Sequence, residues 1–134
     1  MLPVAPRPHV GAGARPLDAA TGELQRKLWV PLFDKYRVPV VLEHHDHTFK
    51  RTKAMLNGLP HPDGVLYLGD GSWGRSPRKA DPLQVMAKTS EDYHLSLHRL
   101  QGTERFHLAL DTEGAIVDVA RSGQRPTGGV AVKS

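Results

Sequence analysis

Three histidines lie close together in the first half of the chain: His44, His45 and His47. Neutral imidazole nitrogens bind zinc, iron and manganese, and two histidines separated by one residue can reach a common cavity from a tight loop. The chain has no Cys, so a transition-metal site would have to use histidine and carboxylate ligands. The alternative is a surface loop whose histidines bind nothing.

The elements around these histidines predict an α/β arrangement. A helix is expected from Asp18 or Thr21 to Tyr36, with a kink or a second start at Pro31. Its apolar residues recur on one face: Leu24, Leu28, Trp29, Leu32, Phe33 and Tyr36. Residues 38–42 form an apolar run without alternation, which is typical of a strand covered on both faces. Because open α/β sheets bind ligands beyond the carboxyl ends of their strands, the histidines occupy a position where a site is expected.

The remainder of the chain predicts short strands and turns. Residues 1–17 are expected to be extended coil, residues 48–55 and 64–69 to be strands, and residues 69–82 to be a loop. Alternating residues from 93 to 120 predict three antiparallel strands in a meander. His94, His98 and His107 share one side of these strands and offer a weaker candidate metal site, whereas Asp111, Glu113 and Asp118 are expected to be solvated.

Composition limits the class of protein. A chain of 134 residues suits one domain, and its formal charge of +4 is a mild basic excess that can favour phosphate-bearing partners. No segment approaches the roughly 18 consecutive apolar residues of a membrane-spanning helix. The sequence therefore predicts a soluble chain without a targeting segment, and it leaves the compartment unknown.

One stretch of the sequence carries a family resemblance. Val40-Val41-Leu42-Glu43-His44-His45-Asp46-His47, with the flanking residues 29–36, 48–52 and 64–71, closely resembles the end of calcineurin-like metallophosphoesterases, nearest to the purple acid phosphatase group. That family has a Gly-His-x-His motif after a buried strand. The resemblance implies an α/β fold: residues 1–120 would be the C-terminal part of a β-sandwich flanked by helices and ending in an antiparallel meander, and residues 121–134 a flexible tail.

The resemblance also implies roles for single residues. His45 would bind the second metal and His47 the first metal of a dinuclear centre containing iron, zinc or manganese. His44 replaces the glycine of the family, so it is either a structural residue or a donor to the substrate phosphate. Arg51 and Lys50 follow closely enough to attract phosphate, although a surface role is equally consistent with their positions.

The other metal-ligand motifs of the family are missing. An Asp-x-His, a Gly-Asp pair, a Gly-Asn-His box and a further His should precede the histidine motif, and Gly69-Asp70 follows it instead. Two ions that share a bridging group need about three or more protein ligands each, which two histidines cannot provide. We therefore expect a C-terminal portion of a metal-dependent phosphoesterase that is inactive without its N-terminal half.

The expected partners follow from this interpretation. They are a phosphate-ester substrate and the N-terminal half of the same domain, and neither a membrane nor a nucleic acid is expected. Two alternatives remain open from the sequence: a nuclease with a histidine-metal site, and a basic nucleic-acid-binding module without enzymatic activity.

Overall fold

The computed structural model describes residues 16–79 and 84–123. This part of the chain is mostly β-sheet with one helix, α1, at Pro16–Lys35. The strands are β1 (Val40–Glu43), β2 (Phe49–Thr52), β3 (Met55–Leu56), β4 (Leu59–Pro60), β5 (Leu66–Asp70), β6 (Met86–Ser90), β7 (His94–Gln101), β8 (Glu104–Asp111) and β9 (Ile116–Gly123). The predicted coil at residues 1–17 is wrong at Pro16 and Leu17, which begin α1. Residues 1–15 of that coil, residues 80–82 of the predicted loop and residues 124–134 of the predicted tail lie outside the described residues.

A mixed four-stranded sheet holds the middle of the chain, with strand order β1-β5-β2-β6. Strands β1 and β5 are parallel, and β2 runs antiparallel to both of its neighbours. The carboxyl ends of β1 and β5 therefore lie at the same edge of the sheet, where Glu43 is paired with Gly69. Among the described strands, β1 pairs with β5 alone, so its other edge has no strand beside it.

The second sheet is the antiparallel meander β7-β8-β9, which the sequence predicts correctly. Phe49, Leu66 and Leu68 of the first sheet pack with Ala109 of β8 to form the buried core. The opposite face of the first sheet, which includes Tyr67, lies beside α1 across a groove. The arrangement confirms two packed sheets with a helix on one side, and it supports the expected helix-flanked sandwich only in part.

Helix α1 turns into β1 through a tight C-terminal cap. The amide of Val38 donates to the carbonyl of Phe33 at 2.9 Å, and the amide of Arg37 donates to the carbonyl of Asp34 at 3.3 Å. Arg37 has a φ of 51°, so the pair of bonds forms a Schellman cap with arginine where glycine is usual. This cap brings the chain from the helix to β1 within a few residues.

Several boundaries differ from the sequence-based expectation. The helix continues through Pro31 as one element, and β1 begins at Val40 because residues 36–39 are used by the cap. The predicted strand at residues 48–55 is divided into β2 and β3, and β6 lacks the alternation that would have predicted it. Strand β9 reaches Gly123, because it pairs with β8 as far as Glu104, so residues 121–123 of the predicted tail are strand.

Apolar side chains remain exposed along the helix and the free sheet edge. The predicted helix stripe is about half exposed: Leu24 is 56%, Leu28 54%, Trp29 52% and Leu32 49% accessible. Leu42 of β1 is also exposed. Large apolar side chains exposed together are typical of surfaces that associate with other structure. No helix in the described part is long and apolar enough to cross a membrane.

We expect the isolated chain to bind a hydrophobic fluorescent dye and to self-associate through this surface. Replacing Leu28 and Leu32 together by Gln should reduce both signals at least about twofold, because it removes apolar area without touching the core. Lys27→Gln on the same helix is the control and should change neither. A monodisperse chain in analytical ultracentrifugation that binds no dye would contradict this expectation.

Candidate functional site

The histidine loop, residues 44–48, connects β1 to β2 at the carboxyl edge of the parallel pair. Since β5 ends at the same edge, Asp70 reaches the loop, and its carboxylate Oδ1 contacts Nδ1 of His44. The loop is held further by the amide of Thr48, which donates to the carbonyl of Asp46 at 2.9 Å. The sheet topology thus brings a histidine and a carboxylate 26 positions apart into contact.

Gly71 allows this close approach. A Cβ atom at position 71 would lie 2.2 Å from the carbonyl oxygen of Asp46 and 2.5 Å from that of His44. Both neighbours are backbone atoms, which cannot move aside as a flexible side chain can, so a side chain at Gly71 would displace the histidine loop. Position 44 itself is a histidine, and the close backbone contact is made by the glycine that follows β5.

A buried ionic group lies beneath the loop. The ammonium Nζ of Lys50 is 2.5 Å from Oε1 of Glu43 and donates to Oδ2 of Asp46 at 3.2 Å. Lys50 is 5% and Asp46 7% exposed, so these charges are removed from water. We call these three residues the lysine triad; it carries a formal charge of −1 and joins the end of β1, the loop and β2.

The structure therefore corrects the interpretation of Lys50. From the sequence, Lys50 was expected either to lie on the surface or to attract phosphate. In the structure its side chain is buried and forms ion pairs with two carboxylates. The alternation of β2 is the reason, because Lys50 and Thr52 lie on the face towards α1 and Phe49 lies on the face towards the meander. The sequence signal that could have revealed the pairing is the i, i+4 spacing of Asp46 and Lys50 across a short loop.

An open cleft of about 590 Å³, the histidine cleft, lies beside the loop. It brings together two of the predicted site residues, His44 and His47, and adds others that the sequence did not single out for a site. The full lining is His44, His47, Asp70, Gly71, Trp73, Arg75, Leu95 and Ser96. Trp73 lines this cleft and is 72% exposed.

His45 and Arg51 do not line the cleft. His45 is exposed on the histidine loop. Arg51 instead forms a two-point contact with Asp118 of β9, with Nε to Oδ2 at 2.5 Å and Nη2 to Oδ1 at 2.9 Å. The expectation that Asp118 is solvated is wrong, because its side chain is 10% exposed and ties β9 to the first sheet. The guanidinium of Arg51 is therefore occupied by a structural partner.

The donor set limits what the site can hold. Within residues 16–79 and 84–123, no group of three or more His, Asp or Glu side chains is placed to bind a metal ion. His45 and His47 stay predicted ligands, and they are too few for a dinuclear centre on their own.

The meander histidines occupy two different environments. His94 is 3% exposed, and its Nδ1 lies 2.6 Å from Oγ of Ser72, which also donates to the carbonyl of Asp92. His98 and His107 do meet across the strands, with their Nδ1 atoms 2.9 Å apart. The side of the strands that carries these histidines faces the core, whereas Leu95 and Leu97 face solvent.

A second, apolar groove of about 170 Å³ separates α1 from the first sheet. Trp29, Phe33 and Leu68 line it, together with the phenol of Tyr67. Burial, with a smaller contribution from the charge of Asp34, raises the pKa of Tyr67 well above its usual value. This groove lies on the helix side of the sheet and has no residue in common with the histidine cleft.

We expect Lys50→Met to lower the free energy of unfolding by about 3 kcal/mol, because it leaves the buried carboxylate of Asp46 and the partly buried carboxylate of Glu43 without a cation. Lys53→Met, a change at an exposed lysine three residues away, should stay within about 0.5 kcal/mol of the parent. Combining Lys50→Met with Glu43→Gln and Asp46→Asn should recover part of the loss. Urea unfolding measures the stability of all three variants. A loss below about 1 kcal/mol for Lys50→Met would contradict the expectation that the two carboxylates depend on the ammonium of Lys50.

Burial, then the nearby His98 and Arg105, lowers the pKa of His107 from 6.5 to about 4. The unfolded chain therefore takes up a proton below pH 6.5 that the folded chain takes up only near pH 4, so stability falls as the pH falls through this range. The loss should reach roughly 3 kcal/mol. His107→Gln should remove this loss of stability at low pH, as measured by chemical unfolding at a series of pH values. Identical pH profiles for the parent chain and the His107→Gln chain would disprove the assignment to His107.

The chain is similar to known proteins in fold and not in sequence. No family model matches the chain, and no curated protein matches it significantly. Among solved structures, the chain is similar to the purple acid phosphatase PPD1 from yellow lupin (Lupinus luteus) seeds, with a TM-score of 0.61 and 15% sequence identity. The match covers 67% of this chain and 18% of that chain, so this chain corresponds to under a fifth of the phosphatase. The similarity shows that the matched part shares its fold with part of that phosphatase.

Proposed function

We propose that the chain is the C-terminal part of a metal-dependent phosphoesterase domain and that it hydrolyses phosphate esters only together with the rest of that domain. One observation carries the proposal. The histidine loop and Asp70 meet at the carboxyl edge of β1 and β5, in a fold shared with part of a purple acid phosphatase. This edge is where sheets of this kind place their ligands.

The chemistry of the loop fits a contribution to a metal centre. His45 and His47 offer imidazole nitrogens, and the lysine triad beneath them has a formal charge of −1, which favours a cation above it. Paired transition metals activate water and stabilise the charge of a phosphoryl transition state in hydrolases. Iron, zinc or manganese is the expected pair. The described residues do not supply enough ligands, so we assign this chain two ligands and no complete catalytic cycle.

The histidine cleft fits a phosphate ester beside such a centre. His44 and Arg75 present nitrogen donors to its interior, and Trp73 adds an apolar surface at the same opening. The contact with Asp70 holds the imidazole of His44 in one orientation. His44 is therefore the residue we assign to a substrate oxygen, and Arg75 takes the role that the sequence suggested for Arg51.

The remaining ligands would come from the N-terminal half of the same domain. The free edge of β1 can accept another strand, and the exposed apolar face of α1 can be covered by further elements. Strand β1 leads directly into the histidine loop. They support residues 1–120 as the C-terminal part of a larger sheet structure with the missing half as its partner.

We expect the 134-residue chain alone to show no hydrolysis of para-nitrophenyl phosphate above background with zinc, iron or manganese. A longer polypeptide that supplies the missing half should hydrolyse it in a metal-dependent manner. In that polypeptide, His45→Ala and His47→Ala should each reduce kcat about a hundredfold or more. His61→Ala, which changes an exposed histidine outside the histidine cleft, is the matched control and should leave the rate unchanged.

Two results would contradict the proposal. Robust turnover by the 134-residue chain that His45→Ala abolishes would show that the chain is sufficient by itself. Hydrolysis by the longer polypeptide that survives both His45→Ala and His47→Ala would show that neither side chain belongs to the centre.

A further inference from the structure

A second pair of histidines lies on the meander, apart from the histidine cleft. His98 of β7 and His107 of β8 are directly opposite each other in the antiparallel register. Their Nδ1 atoms are 2.9 Å apart, so one imidazole donates to the other. Cross-strand partners are fixed by the ladder on both sides, which keeps the two rings together.

We propose that His98 and His107 form a binding site for one transition-metal ion, Cu²⁺, Ni²⁺ or Zn²⁺, held by both Nδ1 atoms. The ion would take the position of the proton that the two rings now share. Imidazole nitrogen suits these three metals, whereas calcium and magnesium require oxygen ligands. The site is independent of the proposed phosphoesterase function.

The ring of His107 is already oriented as a ligand should be. Its Nε2 atom lies 2.7 Å from Oγ of Ser122 on β9. Metal-binding histidines nearly always use the second ring nitrogen in such a hydrogen bond, which fixes the tautomer and the ring orientation. With its proton on Nε2, His107 directs a lone pair from Nδ1 towards His98.

The space beside the pair suits a single atom. A hollow of about 10 Å³, bordered by Ser96, Asp118 and the two imidazoles, adjoins the site. That volume is about the room of one water-sized sphere. Two Nδ1 atoms on a tetrahedral ion, each at about 2.0–2.1 Å, are roughly 3.3 Å apart, so the present 2.9 Å has to widen slightly.

His98 can provide this movement, because it is exposed while His107 is 5% exposed and fixed. When the ion binds, His98 carries its proton on Nε2 and both rings remain neutral, so no proton has to leave the pair. Water completes the coordination on the exposed side. Two protein ligands give weaker binding than the four of a structural zinc site, and stronger binding than single surface histidines give.

The test uses the whole chain carrying His45→Ala and His47→Ala, so that the proposed phosphoesterase ligands cannot contribute. Calorimetric titration with Ni²⁺ and Zn²⁺ should show one ion bound per chain. Adding His98→Ala should weaken binding at least about tenfold, whereas adding His61→Ala, at another exposed histidine, should not. Equal affinity in the His98→Ala and His61→Ala chains would overturn the proposal.

Electron paramagnetic resonance of bound Cu²⁺ gives a second readout that does not depend on affinity alone. The chain carrying His45→Ala and His47→Ala should show coupling of Cu²⁺ to two nitrogens. Adding His98→Ala should reduce the coupling to one nitrogen. Replacing the exposed His98 should lower the metal-free unfolding midpoint only through the lost hydrogen bond to His107, whereas the rise of that midpoint with Zn²⁺ should be lost. A two-nitrogen signal that persists in His98→Ala would place the metal elsewhere and overturn the assignment.

Discussion

The burial of one ammonium group constrains the centre of this protein. Lys50 lies in the interior with two carboxylates, and each belongs to a different part of the chain: Glu43 to the end of β1 and Asp46 to the histidine loop. An unpaired charge in that position is strongly unfavourable, so the three groups have to be brought together when the sheet forms. The path of the loop between β1 and β2 is thereby restricted, and with it the positions of the histidines on either side of Asp46.

The parallel pairing of β1 and β5 adds the second requirement. It brings Asp70 and Gly71 against the loop, where the carboxylate contacts His44 and the glycine leaves room for two backbone carbonyls. The histidine cleft is thus formed by a loop and a strand end that are distant in sequence. On the other side of the loop the edge of β1 has no neighbour among the described strands, so the same element that organises the cleft also carries the surface open to further structure.

The sequence predicted the parts of the fold that depend on local pattern. The sequence predicted the meander, the strand before the histidines and the helix with its apolar stripe, because alternation and helical spacing are local properties. The resemblance to purple acid phosphatases was supported at the level of fold by a structural match. The sequence did not predict the pairings of Arg51 with Asp118 and of Lys50 with Glu43, because these depend on which strands become neighbours. Strand β6 was missed for another reason, since its residues do not alternate. Local periodicity locates the apolar stripe of α1, and it cannot tell whether another element packs against that stripe.

The strand order also bears on how the chain reaches its native state. In the meander, consecutive strands pair through short turns, so these contacts join residues close in sequence and form quickly. In the first sheet, Val40 pairs with Leu66, and β2 lies between β5 and β6. These pairings join residues that are farther apart in sequence, so they require the closure of longer loops. We therefore expect the meander to be the earlier and faster folding unit, and the first sheet to form after it.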